Sequence, residues 1–272
     1  MIIDTHCHLA DSKLVNDLDL IIKKAKDASV AKIISIGCSI NEIYLSKTIS
    51  DRYNDIYYTC GIYPHDNECQ PYKDLATKER LVKLSEIAKN VKCVAIGECG
   101  FDLSVPPPSE TARSIYDQEE LFRAQIAISK DLKKPLIIHS RKAASKTVEV
   151  LTSEYKTRQV NIPGVWHCFS EDLDTLKIIL NMGFCISIGG LITYQRSLNL
   201  QKVIEYCPID KIILETDAPY LVPQKIKNKG ITVNEPAYIL EVLEKIAEIK
   251  NLRIEYCEDI ILKSSLQVFN LN

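Results

Sequence analysis

Eight short β-branched or apolar runs recur along this chain, and each is followed by a longer stretch of helical character. That order suits neither an all-α nor an all-β fold. The runs read MIIDTH, AKIISIGC, IYYTCGIY, KCVAIGE, KPLIIHS, GVWHCF, GFCISIG and KIILETD, and the helical stretches include 14–28, 41–53, 77–89, 118–132, 143–155 and 172–182. Strands that alternate with helices lie parallel, because a helical crossover returns the chain to the same end of the sheet. Eight such units predict a (β/α)8 TIM barrel, with residues 1–272 forming a single domain of ordinary length for that fold. An open doubly wound sheet shares the alternation. No glycine-rich phosphate fingerprint follows the first strand, which counts against its dinucleotide-binding version.

The totals narrow the function classes. Apolar residues make up 46% of the chain and none of the apolar stretches approaches membrane-spanning length, so a protein that does not engage the membrane is expected. No basic stretch followed by an apolar one opens the sequence, which gives a cytoplasmic or nuclear expectation. The ten cysteines are scattered and contain no C-x-x-C pair, so they read as buried free thiols rather than a disulfide framework. A net charge of −2 argues against a uniformly basic coat, so any nucleic-acid contact has to be local.

In a barrel of this kind the chemistry sits at the C-terminal ends of the strands. The polar interruptions of the apolar runs fall there: His6 and His8 in the first, Glu98 in the fourth, His139 in the fifth, His167 in the sixth and Asp217 in the eighth. Four of the five histidines belong to this set, and the fifth, His65, follows the third strand. Strand alternation puts His6 with His8, Val94 and Ile96 with Glu98, Ile137 with His139, Val165 with His167, and Ile213 with Glu215 and Asp217. Taken singly, each is an ordinary core histidine or capping acid; together they form a divalent-metal site. Four imidazoles and two carboxylates exceed one four-coordinate site, so two ions are expected, with Glu98 as the bridging carboxylate. Two divalent ions against two carboxylates leave a net positive cavity, which favours an anionic substrate such as a phosphodiester.

These residues, and the strings DTHCHL, GIYPHD, AIGECGFD, QEELFRAQIAISKDLKKPLIIHSR, HCFS, ETDAPYL and NEPAYI in that order, resemble the TatD-like metal-dependent deoxyribonucleases of the amidohydrolase-like barrel superfamily. The resemblance spans nearly the whole chain. It implies a TIM barrel, two divalent cations (Mg2+, Mn2+ or Zn2+) and hydrolysis of DNA, often as a 3′ to 5′ exonuclease. It also implies that His6, His8 and Asp217 hold one ion and His139 and His167 the other, with Glu98 touching both. Arg141 then fits a phosphate-contacting cation, and His65 a group that contacts or protonates the leaving oxygen. Three positions depart from the pattern: Tyr63 replaces a histidine, Val233 an arginine before NEP, and Ser264 an asparagine of the last helix.

The expected mechanism is two-metal activation of a water that attacks phosphorus, with Asp217 as general base and Glu215 orienting its neighbours. The substrate is then DNA, single-stranded or at duplex ends, and nothing in the sequence demands an oligomer. Lys225, Lys227 and Lys229 follow the eighth strand and could track a nucleic-acid backbone. The rival activities are amidohydrolysis of a C–N bond in a cyclic amide or nucleobase, and esterase action on an aminoacyl-nucleic acid. The first would be favoured by a bridging lysine on the fourth strand, where this chain has Glu98.

Overall fold

The computed structural model describes residues 1–66, 75–106, 112–155 and 163–271. Its eight parallel strands are β1 (Ile2–Cys7), β2 (Val30–Ser35), β3 (Ile56–Cys60), β4 (Cys93–Asp102), β5 (Leu136–Arg141), β6 (Gly164–Trp166), β7 (Cys185–Ile188) and β8 (Ile212–Leu214). They lie in sequence order in one sheet, and β1 meets β8 to complete a TIM barrel. The helices are α1 (Leu18–Asp27), α2 (Ile40–Arg52), α3 (Leu75–Ile87), α4 (Ile115–Leu132), α5 (Ala144–Glu154), α6 (Leu173–Met182), α7 (Leu198–Tyr206), α8 (Gln224–Lys227), α9 (Ile239–Lys250) and α10 (Ile254–Phe269). No described helix is long and apolar enough to cross a membrane.

Two apolar layers follow from the strand pleat. One cluster takes a buried residue from every strand but β3, including Ile3, Ile34, Ile137, Val165, Cys185 and Ile213, with half-buried Tyr57 of β3 packed against it, and fills the barrel interior. Val268, Phe269 and Leu271 join it, so the end of α10 stops the barrel floor. The other cluster packs the outward strand residues against the inner helix faces, for example Ile43 and Ile49 of α2, Leu121, Phe122 and Ile126 of α4, and Val242 and Ile246 of α9. These positions recur at three- to four-residue spacing, as a helix with one buried stripe requires. Side-chain caps start several helices: Ser39 accepts from Glu42 N, Ser114 from Asp117 N and Asp172 from Thr175 N.

Strand alternation holds where the ladder is regular. Ile137 and Val165 are interior while Ile138 and Trp166 are outside. It fails in β4, where Val94 and Ala95 both join the interior cluster and Ile96 lies in the outer layer. The expected common face of Val94, Ile96 and Glu98 is therefore corrected. The register slips beside Val94 and again between Ile96 and Cys99, where the Gly97–Glu98 peptide is cis. β1 carries similar slips, including one between Asp4 and Cys7. Gly61, past β3, lies so close to this turn of β4 that a Cβ there would stand 2.3 Å from the Gly97 carbonyl carbon.

The β1–β8 seam is made largely by side chains and strand-end backbone. Asp4, fully buried, accepts from Thr216 N at 3.0 Å and Thr216 Oγ1 at 2.6 Å, and Thr5 Oγ1 donates to Leu214 O at 2.7 Å. Asp217 N donates to His6 O at 2.9 Å and His8 N to Ala218 O at 2.8 Å. Asp4→Ala leaves three buried donors, Thr216 N, Thr216 Oγ1 and His6 N, without their acceptor, at about 1–3 kcal/mol each. Thermal unfolding of Asp4→Ala is expected to come roughly 5–15 °C below wild type, with Asp4→Asn much closer to it. A midpoint for Asp4→Ala indistinguishable from wild type would remove this seam as a support of the fold.

Candidate metal centre

Every polar residue expected at a strand end reaches one cluster at the C-terminal mouth of the barrel. Glu98 stands at its middle. Its Oε1 lies 2.5 Å from His139 Nδ1 and 3.0 Å from His167 Nε2. Its Oε2 lies 3.4 Å from His6 Nε2 and 3.9 Å from His8 Nε2. Asp217 closes the second group, with Oδ1 at 3.3 Å from His8 Nε2 and 3.6 Å from His6 Nε2. The two histidine pairs abut, because the His6 and His167 rings stack at 4.0 Å with planes only 10° apart.

The donor set fits divalent cations. His6 and His8 bring their Nε2 atoms to 3.3 Å, and His139 Nδ1 and His167 Nε2 stand 3.4 Å apart. Two ligands of a tetrahedral ion at about 2.0–2.1 Å stand roughly 3.3–3.4 Å from each other. Both triads, His6–His8–Glu98 and Glu98–His139–His167, therefore converge within coordinating distance. Their outer nitrogens support the same reading. His167 Nδ1 lies buried 3.5 Å from Glu215 Oε1, too far for a strong hydrogen bond but aimed at a carboxylate. Glu215 is itself buried, accepting from Cys168 N at 2.7 Å and from Ser187 Oγ. That placement makes it a support for His167 rather than a polar residue of the rim.

Electrostatics bind the cluster together even without a cation. Burial alone would raise the Glu98 carboxyl, but the charges of His167 and His139 and their hydrogen bonds outweigh it and hold the group well below the usual carboxylate range. Burial likewise disfavours a charged His167, yet Glu98 and Glu215 raise that imidazole well above its ordinary value, and Glu98 and Asp102 raise His139. A proton is thus favoured on His139 and His167, and on His8, where Asp217 outweighs burial, whereas burial and the neighbouring His167 lower His6.

The remaining expected residues divide. Arg141, at the end of β5, is exposed and forms no ion pair among the described residues, so its guanidinium is available at the mouth. His65 is buried, and its Nδ1 accepts from Arg113 N at 3.2 Å, which ties the loop after β3 to the start of α4. Its Nε2 has no partner among the described residues. Lys225 pairs with Glu241 at 3.1 Å, and Lys227 lies over the Tyr194 ring, so these two are partly engaged on the protein itself. Ser264 Oγ donates to Asp210 O at 3.0 Å and so packs α10 against the segment before β8, and Val233 rests against the outer core.

Sequence reasoning missed Asp102. It ended β4 at Glu98, whereas the strand runs four residues further and presents Asp102 Oδ2 at 3.4 Å from His139 Nε2. The signal was there: GECGFD has no helix-forming or loop-forming run before its aspartate. The thiols needed a smaller correction. Seven of the nine described cysteines are buried, but Cys38 and Cys168 are only partly so, and Cys38 Sγ lies 3.4 Å from Glu98 Oε2. Cys69 lies outside the described residues.

The family model for TatD related DNase matches residues 3–270. An uncharacterized metal-dependent hydrolase of Buchnera aphidicola is 35% identical, the alignment covering 99% of this chain and 96% of that protein. The 3′-5′ ssDNA/RNA exonuclease TatD of Escherichia fergusonii is 30% identical over 90% of both chains. The crystal structure of YjjV, a TatD homolog from Escherichia coli, superposes with a TM-score of 0.86 at 26% identity, covering 100% of this chain and 98% of its own.

Two outcomes are expected of the centre. Glu98→Gln keeps size and one acceptor oxygen but loses the charge shared between the two histidine pairs. Elemental analysis after dialysis should find at least one ion fewer per chain than in wild type, and equal metal content in both would remove Glu98 as a bridge. A cation must also displace protons that the carboxylates hold on His139 and His167. Apparent affinity should therefore fall as pH drops, by about tenfold per pH unit for each proton displaced. Calorimetric titrations in buffers of different ionisation enthalpy count those protons, and an affinity flat from pH 6 to 8 contradicts the ligand set.

Proposed function

The chain belongs to the TatD-related DNase family of metal-dependent hydrolases, and from that premise we propose that it cleaves phosphodiester bonds of DNA, working from the 3′ end with two divalent cations at the barrel mouth. One observation carries the reading: the two oxygens of Glu98 face two different histidine pairs. His6, His8 and Asp217 would hold one cation, His139 and His167 the other, and Glu98 both. Bound there, Mg2+, Mn2+ or Zn2+ would place positive charge on the phosphoryl oxygens and lower the pKa of the attacking water.

The protein's own groups do the rest. Asp217 turns Oδ1 to His6 and His8, leaving Oδ2 as the acceptor for the proton that the water gives up as its oxygen bonds to phosphorus and the bond to the leaving oxygen breaks. Burial and its histidine neighbours decide its charge state: burial raises the carboxyl, but the His8 hydrogen bond and the His6 charge bring it below the ordinary value, so it is ionised and ready to accept. Arg141 meets a non-bridging or neighbouring phosphate oxygen from the rim. The Nε2 of His65 is the donor available to a substrate oxygen, while its Nδ1 keeps the loop in place.

Phosphate is favoured over a neutral amide by charge. Glu215 and Asp102 lie behind His167 and His139, so two cations held by Glu98 and Asp217 would present their charge, together with Arg141, at the open side of the mouth, where an anionic oxygen is favoured. The Escherichia fergusonii relative, named for single-stranded DNA and RNA, points to the same substrate class. A nucleic-acid substrate would place the enzyme in the cytoplasm or nucleus.

Purified protein loaded with Mn2+ or Mg2+ should shorten end-labelled single-stranded DNA from its 3′ end, lose that activity on chelation and regain it on metal addition. Asp217→Asn should lower turnover by about 100-fold or more. Beside it, a panel of cyclic amides and an aminoacyl ester should stay intact. Cleavage that survives complete metal removal, or amide turnover with DNA untouched, would overturn the proposal.

A further inference from the structure

We propose that Tyr63 and Asp102 form a positioning pair that fixes the ring of His139, so that Nδ1 faces the metal centre with its lone pair and Nε2 carries the proton. The proposal rests on the two-cation reading above and assigns a function to a residue, Tyr63, that departs from the family's histidine.

The geometry starts in β4. Gly100 pairs with His139 across the β4–β5 ladder, and Asp102 pairs with Arg141. Glu98 and Asp102 therefore flank the paired position by two residues on either side, and they reach opposite nitrogens of one imidazole. Glu98 Oε1 is 2.5 Å from Nδ1, and Asp102 Oδ2 is 3.4 Å from Nε2. Close approach of the two strands is possible because residue 100 is glycine: at φ +144 a Cβ would stand 2.1 Å from His139 O. Gln118 of α4 pins the Asp102 backbone from behind, accepting from its N at 2.9 Å and donating to its O at 3.0 Å.

Hydrogen-bond bookkeeping then decides the tautomer. Asp102 Oδ1 accepts from Ser104 N at 2.8 Å and Ser104 Oγ at 2.6 Å, and Oδ2 accepts the Tyr63 hydroxyl at 2.7 Å. Three donors thus converge on its two oxygens, the arrangement of a carboxylate that acts as an acceptor only. Tyr63 has one proton and gives it to Asp102. Its oxygen, 3.3 Å from His139 Nε2, is then an acceptor as well. Two acceptors at Nε2 require the hydrogen there, which leaves Nδ1 unprotonated once a cation takes the place of the proton shared with Glu98. The Tyr63 ring also meets the imidazole edge-on, with centroids 4.9 Å apart, and limits its rotation.

The test reads metal directly. Zn2+ is titrated against a chromophoric chelator on metal-free wild type, Tyr63→Phe, Asp102→Asn and His139→Ala, and Co2+ absorption spectra are recorded on the same proteins. His139→Ala identifies the binding step belonging to this half of the centre. Asp102→Asn should weaken that step by about 10–100-fold and alter the matching Co2+ bands, leaving the other step as in wild type. Tyr63→Phe, which removes one oxygen atom, should weaken the same step by roughly 3–10-fold, and it carries the test alone if Asp102→Asn does not fold. Wild-type affinity at that step in both variants, or no step removed by His139→Ala, overturns the proposal. DNA cleavage plays no part in this readout. A wild type that binds two cations without cutting DNA therefore refutes the proposed substrate while leaving the positioning pair standing.

Discussion

The barrel depends on a seam that regular strand pairing makes only in part. β1 and β8 meet through one isolated bridge, Cys7 with Ala218, and the rest of the join is made by buried Asp4 on Thr216, Thr5 on Leu214, and two backbone bonds. A buried carboxylate would be costly if left unpaired, so the seam holds only while each of these donors is in register. Those same bonds place the chemistry. The backbone bond from Asp217 to His6 sets their spacing, and His8 is fixed through Ala218. Closure of the fold and assembly of half the centre are thus one event. Asp217 adopts φ +55 to take part, a conformation that aspartate tolerates better than most residues.

The second half is built from the opposite side of the barrel and depends on proximity of backbones. β4 carries Glu98 inward past β3 and β5, and it can do so because glycine stands at 61, 97 and 100, where side chains would collide with neighbouring main chain. Local regularity is given up there. Register slips along both edges of β4 accompany this placement: Ile96 lies in the outer layer, yet Glu98 two residues later stands between two pairs of imidazoles. Functional placement and ideal strand geometry diverge at this point, as is common where an active site is carried on strand ends.

That divergence marks where the sequence was readable. The eight strands were legible because β-branched runs and helical stretches alternate without interruption, and each polar strand end named a residue that the fold brings to the mouth. The parity argument worked for His139, His167 and Glu215, whose strands pair regularly. It failed for Val94, Ile96 and Glu98, because a register slip leaves no mark in composition, and the correct face for Glu98 was reached by a mistaken route. Asp102 escaped because β4 was ended at its first polar residue, although glycine, cysteine and phenylalanine after Glu98 are all compatible with a continuing strand. Lys225 looked available as a phosphate contact, and its ion pair with Glu241 of α9 depends on packing between distant segments.

The charge economy of the centre follows from these placements. Without a cation, buried Glu98 and Asp217 are compensated by protons on neighbouring imidazoles, so the cluster is tolerable inside a low-dielectric barrel. A cation at the same nitrogens would take the place of those protons, with the carboxylates of Glu215, 3.5 Å behind His167, and Asp102, 3.4 Å behind His139, on the inner side of the centre. An anionic oxygen of the proposed substrate would then meet the cations from the solvent side of the mouth. Exposed Arg141 lies on the route to it. On the phosphodiester reading proposed above, selection for a phosphate would rest on the open side of the cations and on Arg141, and would need no basic surface beyond the barrel mouth.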